Sequence, residues 1–163
     1  MNNITLIGMP GSGKSYIGKI LSESLGYKLI ELDTIMEEQL KLPLQQILDK
    51  IGENAFLELQ EKDAILHTNT QNSLVISPGG SIVYSDGAMH HLKNVSSIIY
   101  LKTRLETVQK RIADTPRGIV GLKEKTLEQL YEERTKLYEK WADIVLDAER
   151  DAGEIIKDIK SML

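Results

Sequence analysis

Residues Ile4–Tyr16 read ITLIGMPGSGKSY. A short apolar run stops at a glycine, and the pattern G-x-x-x-x-G-K-S follows from Gly8 to Ser15. That pattern describes a loop that cradles phosphate between a buried strand and a helix. Its glycines let amide N–H groups turn towards phosphate oxygens, and the next helix adds the positive end of its dipole. Lys14 is placed to reach the β- and γ-phosphates, and the Ser15 hydroxyl to ligate Mg2+. The loop alone does not say whether the phosphate passes to water, to another nucleotide or to a small metabolite.

Working outward, short apolar runs alternate with longer amphipathic ones. Ile4–Ile7 reads as a buried strand. Lys14–Leu25 reads as a helix with Ile17, Ile20, Leu21 and Leu25 on one face, stopped by Gly26. "KLIEL" is a second strand leading to Asp33, followed by two short helical pieces split at Pro43 and a longer one from Glu53 to about His67. "SLVIS" (Ser73–Ser77), "SSIIYL" (Ser96–Leu101) and "ADIVLD" (Ala142–Asp147) complete a set of five strands. Helical stretches over 103–112 and 125–141 flank "ADTPRGIVGLKEK", whose Pro and Gly content predicts a mobile loop. A last amphipathic helix closes the chain. Strands separated by helices, with no hairpin signal, predict a parallel sheet covered on both faces. Ligands bind such sheets at the carboxyl ends of the strands, where Gly8–Ser15, Asp33 and Ser77–Ser81 fall.

With 163 residues the chain is long enough for one domain with a substantial core. A net charge of −4 argues against broad nucleic-acid binding, which favours basic surfaces. The absence of cysteine excludes disulfides and thiolate metal sites. No apolar run reaches the length of a membrane span, and no secretion signal is legible at the N-terminus, so a cytoplasmic protein without membrane partners is expected.

The stretch "LIGMPGSGKSYIGKILSESLGYKLIELD", followed in order by "GENAF", "PGG" and "RTKLYEKWADIVLD", resembles the shikimate kinase family over nearly the whole chain. The resemblance implies a three-layer P-loop kinase fold: a five-stranded parallel sheet with helices on both faces and a mobile lid. It implies one domain over 1–163, with the lid at about 113–124 and an acceptor-binding helical region at about 34–70. The implied activity is transfer of the ATP γ-phosphate to a hydroxyl of a small metabolite, shikimate or a relative, with Mg2+, in a monomer.

Carried over by position, Gly8, Gly11, Ser12, Gly13, Lys14, Ser15 and Tyr16 belong to the nucleotide cradle, and Arg111 and Arg150 fall near the adenine. Ser15 and Glu31 serve the metal, Glu31 through water. Asp33 hydrogen-bonds the acceptor hydroxyl and helps to remove its proton. Gly79 and Gly80 bring backbone close to the acceptor, Arg117 is the lid arginine that meets the transferring phosphate, and Arg134 grips the acceptor carboxylate. The chain departs from the family at three of the positions compared. Ser81 replaces a third glycine, Gly118 follows the lid arginine in place of proline, and Leu57 stands at the acceptor wall where an arginine normally holds the carboxylate. Losing a bidentate partner there weakens carboxylate binding by ~2–5 kcal/mol if the lost group is buried.

Plainer readings stand beside these. Asp33 can cap the helix that follows it, Arg134 can form a surface ion pair on a Glu-rich helix, and Arg117 can simply be solvated. His90 and His91 read as surface histidines, and Trp141 as core. A nucleoside- or nucleotide-type kinase, and a nucleotide-dependent switch that no longer catalyses, are the rival functions.

Overall fold

The computed structural model describes residues 3–69 and 72–163. Thr70, the last residue of the expected acceptor region, lies outside them, as do Met1 and Asn2 of the expected 1–163 domain.

The opening apolar run becomes strand β1 (Asn3–Ile7), buried along its whole length. Its side chains alternate between two core layers: Ile4 and Leu6 enter one, and Ile7 enters the other. Strand β4 (Ser96–Lys102) divides in the same way, with Ile98 and Tyr100 on one side and Ile99 and Leu101 on the other. Two-sided burial explains why these strands read as unbroken apolar runs. Together with β2 (Lys28–Glu31), β3 (Leu74–Ser77) and β5 (Ile144–Asp147) they form a five-stranded sheet in the order β2-β3-β1-β4-β5. Every pairing is parallel.

One face is covered by α1 (Lys14–Leu25) and α8 (Ala152–Ser161), which bury Ile17, Leu21, Ile155 and Ile159. The other is covered by α4 (Glu53–Thr68), α5 (Asp86–Val95), α6 (Leu105–Asp114) and α7 (Leu127–Trp141), through Ala64, Met89, Leu92, Val108 and Tyr138. Helices α2 (Leu32–Leu40) and α3 (Leu44–Ile51) join the start of α4 in a small separate core of Met36, Ile47, Leu48 and Phe56. The expected three-layer architecture is therefore present. Among the described residues no helix is long and apolar enough to cross a membrane.

Several local expectations change. β2 ends at Glu31, because Leu32 turns into the core as the first residue of α2 and is 2% exposed. Asp33 consequently sits in the first turn of a helix rather than at a strand end. It does not cap that helix: the capping position is Glu31, which makes no side-chain capping bond. Nor is the strand before the phosphate loop adjacent to the strand before Asp33, since β3 lies between β1 and β2. No element was legible between "PGG" and Ser96, yet the chain forms a 3-10 turn (Gly80–Tyr84) and then α5. The start of α5 is set by Ser85, whose Oγ accepts a hydrogen bond from Ala88 N at 3.1 Å. β5 begins at Ile144 because Asp143 directs its carboxylate sideways to accept from Ile98 N at 2.9 Å. Trp141 lies in the core as expected, with exposed His90 packed edge-on against its ring. His91 is not a surface residue: it is half-buried, and its Nε2 is 2.8 Å from Thr68 Oγ1.

Candidate active site

The phosphate loop leaves β1 and ends at Gly13, whose positive φ of 91° suits glycine and begins α1 without a side-chain cap. No acidic residue occupies the first turn of that helix. Its leading amide groups therefore have no internal acceptor and face outward as an anion site. Lys14 curls back under the loop and is only 8% exposed. Its Nζ donates to the carbonyls of Gly8 and Met9 at 2.8 and 2.9 Å and lies 3.4 Å from Ser12 Oγ. Burial pushes the ammonium down to a pKa of about 7, partly opposed by the Asp33 carboxylate and reinforced by Arg117 and Arg134.

A cavity of about 540 Å³ opens beside the loop. That volume is in the range of small-molecule sites. The cavity brings together Gly11, Gly13, Lys14, Ser15 and Tyr16 from the loop, Glu31 and Asp33 from the β2–α2 junction, and Gly79 and Gly80 after β3. Arg111, Arg117 and Arg134 complete the set. Gly80 is the seam between the two halves: a Cβ there would stand 2.8 Å from Pro10 Cδ and 3.2 Å from Arg134 Nη1. Gly8 and Ser12, expected in the cradle, are not among the cavity-lining residues, and the Gly8 carbonyl and Ser12 hydroxyl face Lys14 instead.

The end of the cavity away from the loop is built from buried charge. Arg134, on α7, is 1% exposed and so is not the surface residue that its Glu-rich helix suggested. Its Nη2 donates to Val120 O at 2.7 Å, its Nε to Tyr84 Oη at 3.3 Å, and the guanidinium lies 5.2 Å from the Tyr84 ring centroid. No carboxylate pairs with it among the described residues. Asp33 is held in the same space with Oδ1 buried and unpartnered. Burial raises its pKa to about 6 against the pull of Lys14, with Glu37 adding to the rise. A buried cation with no carboxylate beside it and a buried carboxylate oxygen with no hydrogen bond mark a place where a ligand completes the pairing.

Two expected site residues are placed elsewhere. Leu57 is not among the cavity-lining residues: α4 presents Phe56 and Gln60, one turn apart, and Leu57 stands about 100° round the helix. Arg150 is also outside the lining, and its guanidinium is engaged by Asp158 at 2.7 Å and Glu154 at 3.6 Å on α8. Arg111 does reach the cavity and donates to Gly11 O at 2.6 Å. Gln60 was missed because a glutamine inside an amphipathic helix carries no signal, although its one-turn spacing from Phe56 points to the same face.

The lid sequence begins and ends two residues later than expected, since 113 and 114 belong to α6 and α7 starts at Leu127. The loop that follows is docked over the cavity. Val120 packs into the core of Met36, Ile47, Leu48 and Phe56, and Gly121 N donates to Glu53 Oε1 at 2.8 Å. Gly118 lies so close to α3 that a Cβ would be 2.8 Å from Gln45 N. Here glycine, not the family's proline, permits the approach. Arg117, beside it, is solvent-exposed yet lines the cavity.

A parallel sheet with a phosphate loop at its centre, and a lidded cavity holding buried acceptor-side charges, defines a P-loop kinase of the small-molecule type. A family model for shikimate kinase matches residues 10–163. The chain is 34% identical to the shikimate kinase of Sulfurihydrogenibium sp. (strain YO3AOP1), over 98% of this chain and 96% of that one. It is 35% identical to that of Clostridium botulinum (strain Okra / Type B1), over 99% and 96%. Among solved structures it is similar to the shikimate kinase from Acinetobacter baumannii in complex with shikimate, with a TM-score of 0.88, 25% identity and coverage of 99% and 92%. The chain belongs to the shikimate kinase family, and is thus an ATP-dependent kinase with a small-molecule acceptor. The nucleoside-type and non-catalytic readings are set aside.

Proposed function

We propose that this kinase phosphorylates shikimate itself, with Arg134 as its principal carboxylate receptor. The observation that carries the reading is the buried, anion-less Arg134 guanidinium in the same cavity as the phosphate loop and Asp33. Leaving a cation buried and unpaired is costly, and a carboxylate presented by the acceptor relieves the cost. Leu57 does not line the cavity, so its lack of charge bears less on acceptor choice than the sequence alone suggested.

Loop amides and Lys14 would hold the phosphates, and Arg111 would flank the nucleotide at Gly11. Ser15 and Glu31 line the cavity with hard oxygen donors that suit Mg2+. No group of three or more His, Cys, Asp or Glu gathers for a metal among the described residues, which suits an ion held largely by phosphate and water. When bound, the ion neutralises charge on the phosphates and on the developing transition state. Asp33 would take a hydrogen bond from the acceptor hydroxyl and draw off its proton, with its ionised form required for that step. Gly79 and Gly80 would let the acceptor approach the backbone. Arg117 would neutralise charge on the phosphoryl group as the 115–125 loop moves to admit reactants and exclude water. We read 1–163 as one kinase domain and assign Arg150 no contact with the nucleotide.

The test is ADP release over a panel of shikimate, quinate, polyols and nucleosides. Turnover on shikimate at an ordinary micromolar-to-millimolar KM, with none on nucleosides, is the expected result. Absence of turnover on shikimate would overturn the reading.

A further inference from the structure

Behind Asp33 lies a pair of polar side chains that no step above uses. Gln60, from α4, is 3% exposed, and Ser81, in the 3-10 turn after β3, is 5% exposed. Ser81 Oγ donates to Gln60 Oε1 at 2.8 Å. Both residues line the cavity. The other end of the amide faces Gly79, where a Cβ would stand 2.8 Å from Gln60 Nε2 and 2.6 and 3.0 Å from the two Asp33 oxygens. Amide and carboxylate thus border one small space, kept open because residue 79 has no side chain.

The orientation of the amide follows from its neighbours. A carboxylate offers only acceptors, whereas a hydroxyl can donate or accept. Were the amide turned over, Nε2 would meet Ser81 and a carbonyl oxygen would face Asp33, setting two acceptors against each other in a buried space. With Ser81 donating to Oε1, the amide nitrogen is left on the carboxylate side. Ser81 stands where the family resemblance leads one to expect glycine, so this hydroxyl is a feature of this chain.

We infer that Ser81 and Gln60 form a brace for Asp33. Ser81 locks the amide, and Gln60 is a positioning residue whose N–H orients the carboxylate, leaving Oδ1 free for the acceptor hydroxyl. The inference rests on the reading of Asp33 as the group that takes the acceptor's proton. Other charges also face Asp33: Lys14 from α1, Arg117 from the lid, and Glu37, one turn along α2. None of these is altered by changes at 60 or 81, so the brace is read as a difference against the wild type.

The experiment is steady-state kcat and shikimate KM at one fixed pH for the full chain, with saturating ATP and Mg2+, for wild type, Gln60→Met, Ser81→Ala and Asp33→Asn. Gln60→Met keeps the length of the side chain and removes the donating amide. It should lower kcat about tenfold, with shikimate KM changed less than kcat. Ser81→Ala frees the amide to turn and should lower kcat about threefold, again with KM changed less. A kcat in both variants equal to wild type, or a loss carried by KM alone, would overturn the brace. If Gln60→Met does not fold, Ser81→Ala, which removes a single oxygen, decides alone. Asp33→Asn separates the two readings. Its loss of kcat with unchanged kcat in the others rejects only the brace, whereas a retained kcat rejects the role of Asp33 itself.

Discussion

The donor and acceptor halves that we propose for the cavity are built in opposite ways. The donor half is a single stretch, Gly8–Tyr16, that works mainly through backbone amides, a glycine-set turn and one lysine. The acceptor half collects Asp33 from α2, Gln60 from α4, Gly79 and Gly80 after β3, Arg117 from the lid loop and Arg134 from α7. A contiguous loop carries its chemistry in its spacing. A site gathered from separate elements depends on which face each presents, and only the packing decides that.

The sharpest way to break the comparison is to disable each half in turn. Lys14→Ala should remove ~10³-fold or more of kcat, because a buried charge on the transferring phosphates is among the largest electrostatic contributions available. Steady-state ADP release checks this, and a kcat within tenfold of wild type would show that the loop does not supply the donor chemistry. Arg134→Met should act on the other half, raising shikimate KM about 30-fold or more while changing ATP KM little. The same substitution removes a buried cation that has no protein anion and keeps a similar volume. Thermal unfolding measured without ligand should therefore show a Tm equal to or above wild type. A lowered Tm together with an unchanged KM would mean that Arg134 is structural.

What was legible follows the same division. The nearly unbroken apolar runs at Ile4–Ile7 and Ser96–Leu101 report two-sided burial directly, so the parallel sheet could be read, and α1 was bounded correctly by Gly13 and Gly26. Strand order was not legible, because no local signal says that β3 inserts between β1 and β2. α5 was missed although Ser85 and the Ala88, Met89 and Leu92 face mark it, since "SDGAMHHLK" looks like a polar loop. In the site, the carbonyls around Lys14 follow from the loop itself. The burial of Arg134 and the brace at Gln60 follow from tertiary packing that places α7 and α4 against the 3-10 turn.

Electrostatics gives a test of intermediate size. The Asp33 pKa is raised from 3.8 to about 6, with burial as the leading cause, so the folded protein binds this proton more tightly than the unfolded chain. Its contribution to stability is full below about pH 4 and is lost as pH rises through about 6. Lys14 behaves conversely: its pKa falls from 10.5 to about 7, so its contribution is present above the unfolded value and is lost as pH falls through 7. At pH 8 Lys14 is mostly neutral and depends little on Asp33. Asp33→Asn should therefore raise Tm by a few degrees at pH 8 and by nothing below pH 4. Melting curves across that range check the sign, and a Tm lowered at pH 8 would show that the ionised carboxylate is satisfied within the fold.

The smallest expected effect concerns the residue that the sequence made most prominent. Restoring an arginine at 57 should, on motif reasoning alone, return a bidentate carboxylate partner and tighten shikimate by orders of magnitude. The structure predicts otherwise. Phe56 and Gln60 hold the cavity-facing positions of α4, and Leu57 is half-buried to one side. An arginine there has first to bend its stem past Phe56, which is 1% exposed and fixed in the core beneath the lid with Val120. Arg111, Arg117 and Arg134 already line the same cavity, and a further guanidinium competes with Arg134 for one carboxylate. We expect Leu57→Arg to change shikimate KM by no more than about threefold, with kcat unchanged. A KM lowered tenfold or more would show that residue 57 swings into the acceptor site, and that this chain binds its acceptor with one fewer cation than the site has room for.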